Sequence, residues 1–275
     1  TPAPTCTASP TRMTDASVTV TLSPASGRTV TVAYTTQDGT AVAPGDYAAA
    51  SGTVTFSPGE TSKTAAVAVV GETTYEADET FTLALSGAVN ATIAGATSTV
   101  TIGNDDLPPT VAWTLASQSV GEGSGTTTVA AQLSLVSGLD VTVPFTLGGT
   151  ASPSDYSVLG AAITIPAGSL SVSRAVTVID DVTYEGNETV TFTMGLPTNA
   201  TLGSPSLHIL TIVENEPPPE VRFTVPTQSI SEGGGSINAT LVLTPASALP
   251  ATVSFTVGGT ASSPGDYTVV TASPV

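Results

Sequence analysis

The sequence predicts an all-β protein built of tandem seven-stranded antiparallel β-sandwiches arranged end to end, and three observations carry that expectation. The first is internal repetition: Asp38-Gly-Thr-Ala returns as Gly148-Gly-Thr-Ala and Gly258-Gly-Thr-Ala. Each is followed by an Asp-Tyr pair (Asp46-Tyr47, Asp155-Tyr156, Asp266-Tyr267), stepping by 109 and 111 residues. Self-similarity at a fixed period marks an array of one structural unit. The second is pattern: short alternating runs rich in Val, Thr and Ile are divided by Gly, Pro, Asn and Ser, with no helical period. The third is size, since seven short strands in roughly 110 residues fit a two-sheet antiparallel sandwich.

A chain of 275 residues is long enough for two or more domains. The repeats divide it into 1–107, with a degenerate first strand, then 108–217, then 218–275, which holds only the opening half of a unit. The second unit shows its strands in order. Strand A spans 111–119 and B 126–136, each bounded by Gly or Ser punctuation. C spans 141–147, D 161–165 and E 171–179; F spans 189–194 and G 206–213. Alternation places Val176, Val178, Phe192, Ile209 and Ile212 inward, and Trp113, the only tryptophan, reads as a buried residue of strand A. Leu107-Pro-Pro-Thr and Glu216-Pro-Pro-Pro-Glu form short, semi-rigid joints, so the units should line up as a rod.

Bulk composition removes several functions. Five Lys and Arg stand against 22 Asp and Glu, a net charge of −17, which argues against nucleic acid and anionic membrane surfaces. No apolar run is long enough to span a bilayer. The single cysteine, Cys6, excludes a disulfide within the chain and a thiolate metal site, and reads as an unpaired thiol near a terminus. A chain rich in Thr, Ser, Ala, Val and Gly with one lysine suggests a secreted or cell-surface protein. Beginning at Thr1, it reads as a mature or excised piece. His208, the only histidine, lies in a predicted strand and reads as a packed or half-exposed strand residue. No Ser/His/Asp or Cys/His constellation can be assembled, and a carboxylate pair for glycoside hydrolysis lacks the aromatic platforms such clefts use, so no enzyme is expected. Four Asn-x-Thr triplets begin at Asn90, Asn187, Asn199 and Asn238, as a Thr-rich chain produces by chance.

The carboxylates are distributed unevenly. The stretch 179–188 holds Asp180, Asp181, Glu185 and Glu188, and 71–79 is a near-copy. Like charges ~4 Å apart at an effective dielectric of ~20 repel by about 4 kcal/mol per pair, so such a loop expects a cation. If strands run alternately up and down, the AB, CD and EF turns and the end of G meet at one pole. That pole collects Glu122, Asp155, Asp180, Asp181, Glu185, Glu188, Glu214 and Glu216 in the second unit. In the first it collects Asp46, Glu72, Glu76, Asp78, Glu79, Asp105 and Asp106. The opposite pole receives Glu60 and Asp140 and little else. An all-oxygen set without Cys or His suits Ca2+, which takes six to eight oxygens, better than Mg2+, which keeps more water. The competing reading is a solvated acidic tip that keeps molecules apart.

The Gly-Thr-Ala and Asp-Tyr motifs, the run Gly52-Thr-Val-Thr-Phe-Ser-Pro-Gly-Glu, the Tyr-Glu-x-x-Glu loops at 75–79 and 184–188, and the acidic end Thr99-Val-Thr-Ile-Gly-Asn-Asp-Asp together resemble the Calx-beta family over nearly the whole chain. The resemblance implies a seven-strand sandwich with calcium at the acidic pole. It implies calcium ligands at Glu122, Asp155, Asp180, Asp181, Glu185 and Glu188, with Glu214 and Glu216 as the acidic tail interrupted by Asn215. In the first unit it implies Asp46, Glu72, Glu76, Glu79, Asp105 and Asp106, with two ligands lost where Thr11 and Gly71 stand. In the third it implies Glu232 and Asp266, in a site that cannot be complete because the EF loop and last strand are absent. Four strands of a seven-strand sandwich should leave a bare edge, which reads as truncation of a longer protein rather than completion by a neighbouring chain.

These expectations amount to a calcium-binding stalk or repeat region of a secreted or surface-anchored protein, an adhesin or surface filament, with calcium stiffening the joints. Its partners would be neighbouring repeats, other copies of itself or ligands on a host or cell surface. The alternatives are a calcium-dependent protein or glycan recognition module and a calcium sensor region of a larger membrane protein.

Overall fold

The computed structural model describes residues 14–271 together with 273 and 275; Cys6 and Thr11 lie outside the described residues. The first repeat contributes β1 (Thr14–Thr21), β2 (Val30–Asp38), β3 (Ser51–Phe56), β4 (Ser62–Val69), β5 (Glu79–Val89) and β6 (Thr97–Ile102). The second contributes β7 (Thr110–Trp113), β8 (Ser117–Gly121), β9 (Thr126–Leu133), β10 (Val141–Gly149) and β11 (Tyr156–Val158). It continues with β12 (Ala162–Ile165), β13 (Ser171–Val178), β14 (Glu188–Met194), β15 (Thr201–Leu202) and β16 (Leu207–Val213). The third contributes β17 (Glu220–Phe223) and β18 (Leu241–Thr244).

In the second repeat two five-stranded sheets, ordered β12-β10-β14-β16-β8 and β11-β13-β9-β7-β15, enclose the core. Their inner faces supply alternate residues: Val111, Trp113, Val129, Ala131, Leu133, Val143, Phe145, Val176, Val178, Val190, Phe192 and Leu210 are all buried in one cluster. Every member of that cluster comes from 111–212, so the core is closed within the repeat. Trp113 is buried as expected; its indole Nε1 donates to the Phe192 carbonyl at 3.0 Å, which satisfies the one polar atom a buried tryptophan carries. The first repeat shows the same layout, with β3-β2-β5-β6 facing the β1–β4 pair.

Three expectations are corrected. The predicted strand A is two strands. β7 pairs antiparallel with β9 in one sheet, then the chain crosses at 114–116 and β8 pairs parallel with β16 in the other. One sequence run therefore serves both sheets, β8 as the edge strand of one and β7 beside the short edge strand β15 of the other. Ile209 does not face inward: His208, Leu210 and Ile212 are buried and Ile209, one residue out of phase, is only half-buried. Among the described residues the third repeat shows one strand pair, β17 with β18, rather than four strands, and beyond it a mutual backbone contact of Val253 with Val275.

The repeated motifs have structural reasons. Gly149, at φ +112°, lies so close to β14 that a β-carbon would strike the Thr189 carbonyl, and Gly39 stands in the same relation to Thr80. The following threonine turns its hydroxyl to the same strand: Thr189 N donates to Thr150 Oγ1 at 2.9 Å and Thr80 N to Thr40 Oγ1 at 2.7 Å. The alanine N–H then donates to the same carbonyl, Ala41 to Thr80 at 2.9 Å and Ala151 to Thr189 at 3.0 Å. Asn90 and Asn199 occupy left-handed turns (φ 62° and 61°), and their amides donate to Thr29 O and Asp140 O at 2.9 Å. Two of the four Asn-x-Thr triplets thus reflect turn geometry rather than chance.

Candidate metal centre

Alternation of strands brings the acids together at one pole. In the second repeat, Glu122 opens a single helical turn after β8, Asp155 ends the loop before β11, Glu185 lies on the loop into β14, Glu188 is the first residue of β14, and Glu214 and Glu216 follow β16. Two triads result, Asp155/Glu185/Glu188 and Glu122/Glu214/Glu216, each with a carboxylate oxygen from every member within 4.8 Å of the others. In the first repeat Asp46, Glu76 and Glu79 form the counterpart of the former. Glu122 and Asp155 are each only 5% exposed.

The triads are joined by the Glu214 carboxylate. Its Oε2 accepts from Glu185 N at 2.5 Å and Gly186 N at 2.7 Å, and its Oε1 from Asn215 N and Glu216 N at 3.0 Å. Burial acts to raise the Glu214 pKa, but the backbone amides of Glu185, Glu216 and Gly186 outweigh it and hold the group down at about 2. The neighbours go the other way. Burial, then the Glu214 charge, pushes Glu122 up to about 7, and burial, then Asp155, pushes Glu188 up to about 7. Glu79 rises to about 7 through burial and the Asp46 charge. Burial also opposes ionisation of Asp155, yet the Ser152 amide at 2.6 Å keeps its pKa below the ordinary value. One acid with a lowered pKa is thus anchored in each triad of the second repeat, while the pKa values of its partners are raised, Glu122 and Glu188 to about 7, which a cation would reverse.

The remaining expected ligands are placed around this centre. Asp180 Oδ1 accepts from Asn215 Nδ2 at 3.0 Å, and its carboxylate lies beside Gly123, next to Glu122. Asp181 accepts from Thr183 N at 2.6 Å and its charge acts on Glu122 and Glu185. Glu72 accepts from Thr74 N, and together with Asp105 it raises the pKa of Asp106, after burial. Asp266 only closes its own turn, accepting from Ser262 N at 2.7 Å, and Glu232 is exposed; neither joins a triad among the described residues. Asp78 belongs to the scaffold: it accepts from Asn104 N at 3.0 Å, as Asn187 accepts from Glu214 N at 3.1 Å. At the opposite pole Glu60 accepts from Ser57 N at 2.7 Å within its turn, and Asp140 accepts from Ala167 N at 2.8 Å, tying together two loops 27 residues apart in sequence.

One residue is missed by counting acids. Asn104 Oδ1 accepts from Glu76 N at 3.2 Å, the place that Glu214 takes toward Glu185. The first repeat therefore carries a neutral oxygen donor where the second carries its anchored carboxylate. Only the alignment of Gly103-Asn-Asp-Asp with Val213-Glu-Asn-Glu, rather than a search for acids, would have found it.

The donor set fits a calcium ion. Oxygens bound to one Ca2+ at roughly 2.3–2.6 Å lie at most about 5 Å apart, the spread that these triads show. His208 is remote from this chemistry: it is buried in β16, its Nδ1 2.7 Å from the Leu115 carbonyl and its ring against Trp113 and Phe192.

The chain is similar in sequence to known proteins. Over 191 residues, 62% of this chain, sodium/calcium exchanger 1 of Canis lupus familiaris is 31% identical, and that of Rattus norvegicus 30%. This chain spans only about 20% of the length of either. A crystal structure of the calcium binding domain CBD12 of CALX1.1 aligns over 70% of this chain and 76% of its own, at 20% identity and a TM-score of 0.35. The family profile described as the Calx-beta domain matches three successive segments, 9–106, 105–216 and 214–273. The chain belongs to the Calx-beta domain family and consists of tandem copies of that domain.

Proposed function

We propose that this chain is a calcium-binding tandem-repeat region in which ions at each acidic pole fix the angle to the next repeat. The residues that would hold them are Glu122, Asp155, Asp180, Asp181, Glu185, Glu188, Glu214 and Glu216 in the second repeat. In the first they are Asp46, Glu72, Glu76, Glu79, Asp105 and Asp106, joined by the amide oxygen of Asn104. A divalent cation would neutralise the repulsion that now protonates Glu122 and Glu188. The observation that carries the reading is position: the loop bearing Glu76 and that bearing Glu185 each touch the following repeat, through Tyr75–Ser137 and Tyr184–Ser247. An ion that orders the loop therefore orders the junction. Glu232 and Asp266 would serve only in a repeat that supplies the remaining loops.

We place such an array in a secreted or cell-surface protein, as a stalk of an adhesin or filament; low lysine content and the Pro-rich joints support this. The sodium/calcium exchanger relatives favour a second reading, a calcium sensor region of a larger membrane protein. Small-angle scattering in calcium and in chelator tests the shared core: a longer, stiffer particle in calcium is expected, and identical profiles would refute it. Fusion of the region to a reporter and assay of its exposure on intact cells separates the two settings.

A further inference from the structure

Both junctions between repeats are built from one turn. At the first, the Tyr75 carbonyl accepts from Gly138 N at 2.9 Å and from Ser137 Oγ at 3.2 Å, while Ser137 Oγ itself accepts from Leu139 N at 3.0 Å. At the second, the Tyr184 carbonyl accepts from Ala248 N at 3.1 Å and Ser247 Oγ at 3.2 Å, and Ser247 Oγ accepts from Leu249 N at 3.1 Å. The serine hydroxyl links both: it accepts from its own turn and faces the tyrosine carbonyl across the junction, although Ser247 Oγ also lies 3.1 Å from the Leu249 carbonyl of its own turn. At the first junction the serine is buried, Ser137 being only 1% exposed, and at the second Ser247 is half-buried. The third residue of the turn reaches the loop as well, with Leu249 Cδ1 3.4 Å from where Gly186 would carry a β-carbon.

The first repeat has the same turn, ready-made and uncovered. Arg28 N donates to Ser26 Oγ at 3.0 Å, and Gly59 N donates to Ser26 O at 2.9 Å as Gly168 N does to Ser137 O. Among the described residues the Ser26 hydroxyl finds no acceptor, and nothing lies within 4 Å of a β-carbon built on Gly27. Gly27 and Arg28 are exposed. Arg28 stands where Leu139 and Leu249 stand, and it is one of five basic residues in the chain.

We propose that the turn at 26–28 is a docking site for the acidic Tyr-Glu loop of a further Calx-beta repeat, with Arg28 adding an ionic contact that neither internal junction has. The loop's tyrosine carbonyl would accept from Gly27 N and Ser26 Oγ, and its glutamates would face the guanidinium. The two loops of this chain are already engaged at Ser137 and Ser247, so the occupant is another repeat. This goes beyond the ion-binding reading, because the contacts that define both existing junctions run between protein atoms, tyrosine carbonyl to turn amide and serine hydroxyl.

The test adds a repeat in register. From Asp106 to Ser137 is 31 residues (137 − 106), and from Glu216 to Ser247 is again 31 (247 − 216). A copy of residues 108–221, which contains the closed core of the second repeat, joined ahead of Thr1 gives Ser26 the same spacing (5 + 26 = 31). Amide exchange of Gly27 is measured by NMR beside Gly138 and Ala248, in calcium and in chelator. The Gly27 amide should slow by about tenfold or more to match the other two. Arg28→Glu should reverse most of that, and Ser26→Ala part of it, without changing Gly138. A Gly27 amide that stays fast while Gly138 and Ala248 are protected overturns the proposal. So does protection that grows with protein concentration in the original chain, which would assign the turn to a second copy. Joint loss of all three protections in chelator bears on the role of calcium and leaves the docking site standing if they return together with the ion.

Discussion

Glu122 and Glu188 make the acidic pole sensitive to pH when no cation is bound. Each carboxyl is raised from 4.5 in the unfolded chain to about 7 in the folded one, so between those limits the folded state holds more protons than the unfolded. Their stabilising contribution is complete below about 4.5 and is lost as pH rises through about 7. Glu214, held at about 2, and Asp155, also lowered, act conversely: their contribution is present above the unfolded value and lost on acidification. Metal-free protein should therefore be most stable on the acid side of neutrality and weaken toward pH 8, and calcium should abolish that decline. Thermal melts in chelator from pH 4 to 8 decide it, since a curve flat between 5 and 8 contradicts the pKa pattern. Glu122→Gln should raise metal-free stability at pH 8 while lowering calcium affinity of the second repeat at least about tenfold by calorimetry. At this scale the acids themselves were legible, because charge repulsion makes their concentration conspicuous. Asn104 was not, since an amide carries no charge to count, and neither was the scaffold role of Asp78, which depends on a backbone amide 26 residues away.

Among the elements, the Gly-Thr-Ala motif sets the distance between β10 and β14 and hence the position of Glu188 at the start of β14. Gly149→Ala would place a methyl group on the Thr189 carbonyl in a backbone conformation that disfavours any side chain. A loss of about 2–3 kcal/mol is expected. Trp113, alone of its kind and buried in that core, reports it by fluorescence during urea unfolding; an unchanged midpoint contradicts the close approach. Strand existence was readable from alternation, and the pole followed from strand parity. Two things were not. The division of strand A at 114–116 shifts the inward phase from Val111 and Trp113 to Gln118 and Val120, and with one polar residue and no fully buried one in β8 that shift carries little apolar signal. The phase of β16 was blurred by apolar residues on both faces in Leu207-His-Ile-Leu, where Ile209 half-covers the outside and His208 turns in toward Trp113.

Across the whole molecule, ion binding and repeat docking meet on the same few residues. Glu76 belongs to a carboxylate triad, and its Cβ lies where a side chain at 138 would begin, so that a β-carbon there would come within 2.8 Å. The second junction carries Ala248 at that place and is slightly looser, with 3.1 Å from its amide to the tyrosine carbonyl against 2.9 Å at Gly138. Gly138→Ala should thus relax the first junction to the geometry of the second at little cost. Gly138→Val, which is branched, should push Glu76 and its loop away. Coupling between two sites is reciprocal, so whatever calcium contributes to docking at this junction, docking contributes to calcium binding. Gly138→Val should then weaken the first repeat's calcium affinity by about 5- to 100-fold, the range of ordinary coupling energies, while the second repeat's affinity and the Ala248 amide stay as they were. Calorimetric titration of the full chain resolves the two classes of site. Equal affinities in wild type and Gly138→Val, with scattering showing the junction opened, would mean that the ions hold each repeat's loops without holding the repeats to one another.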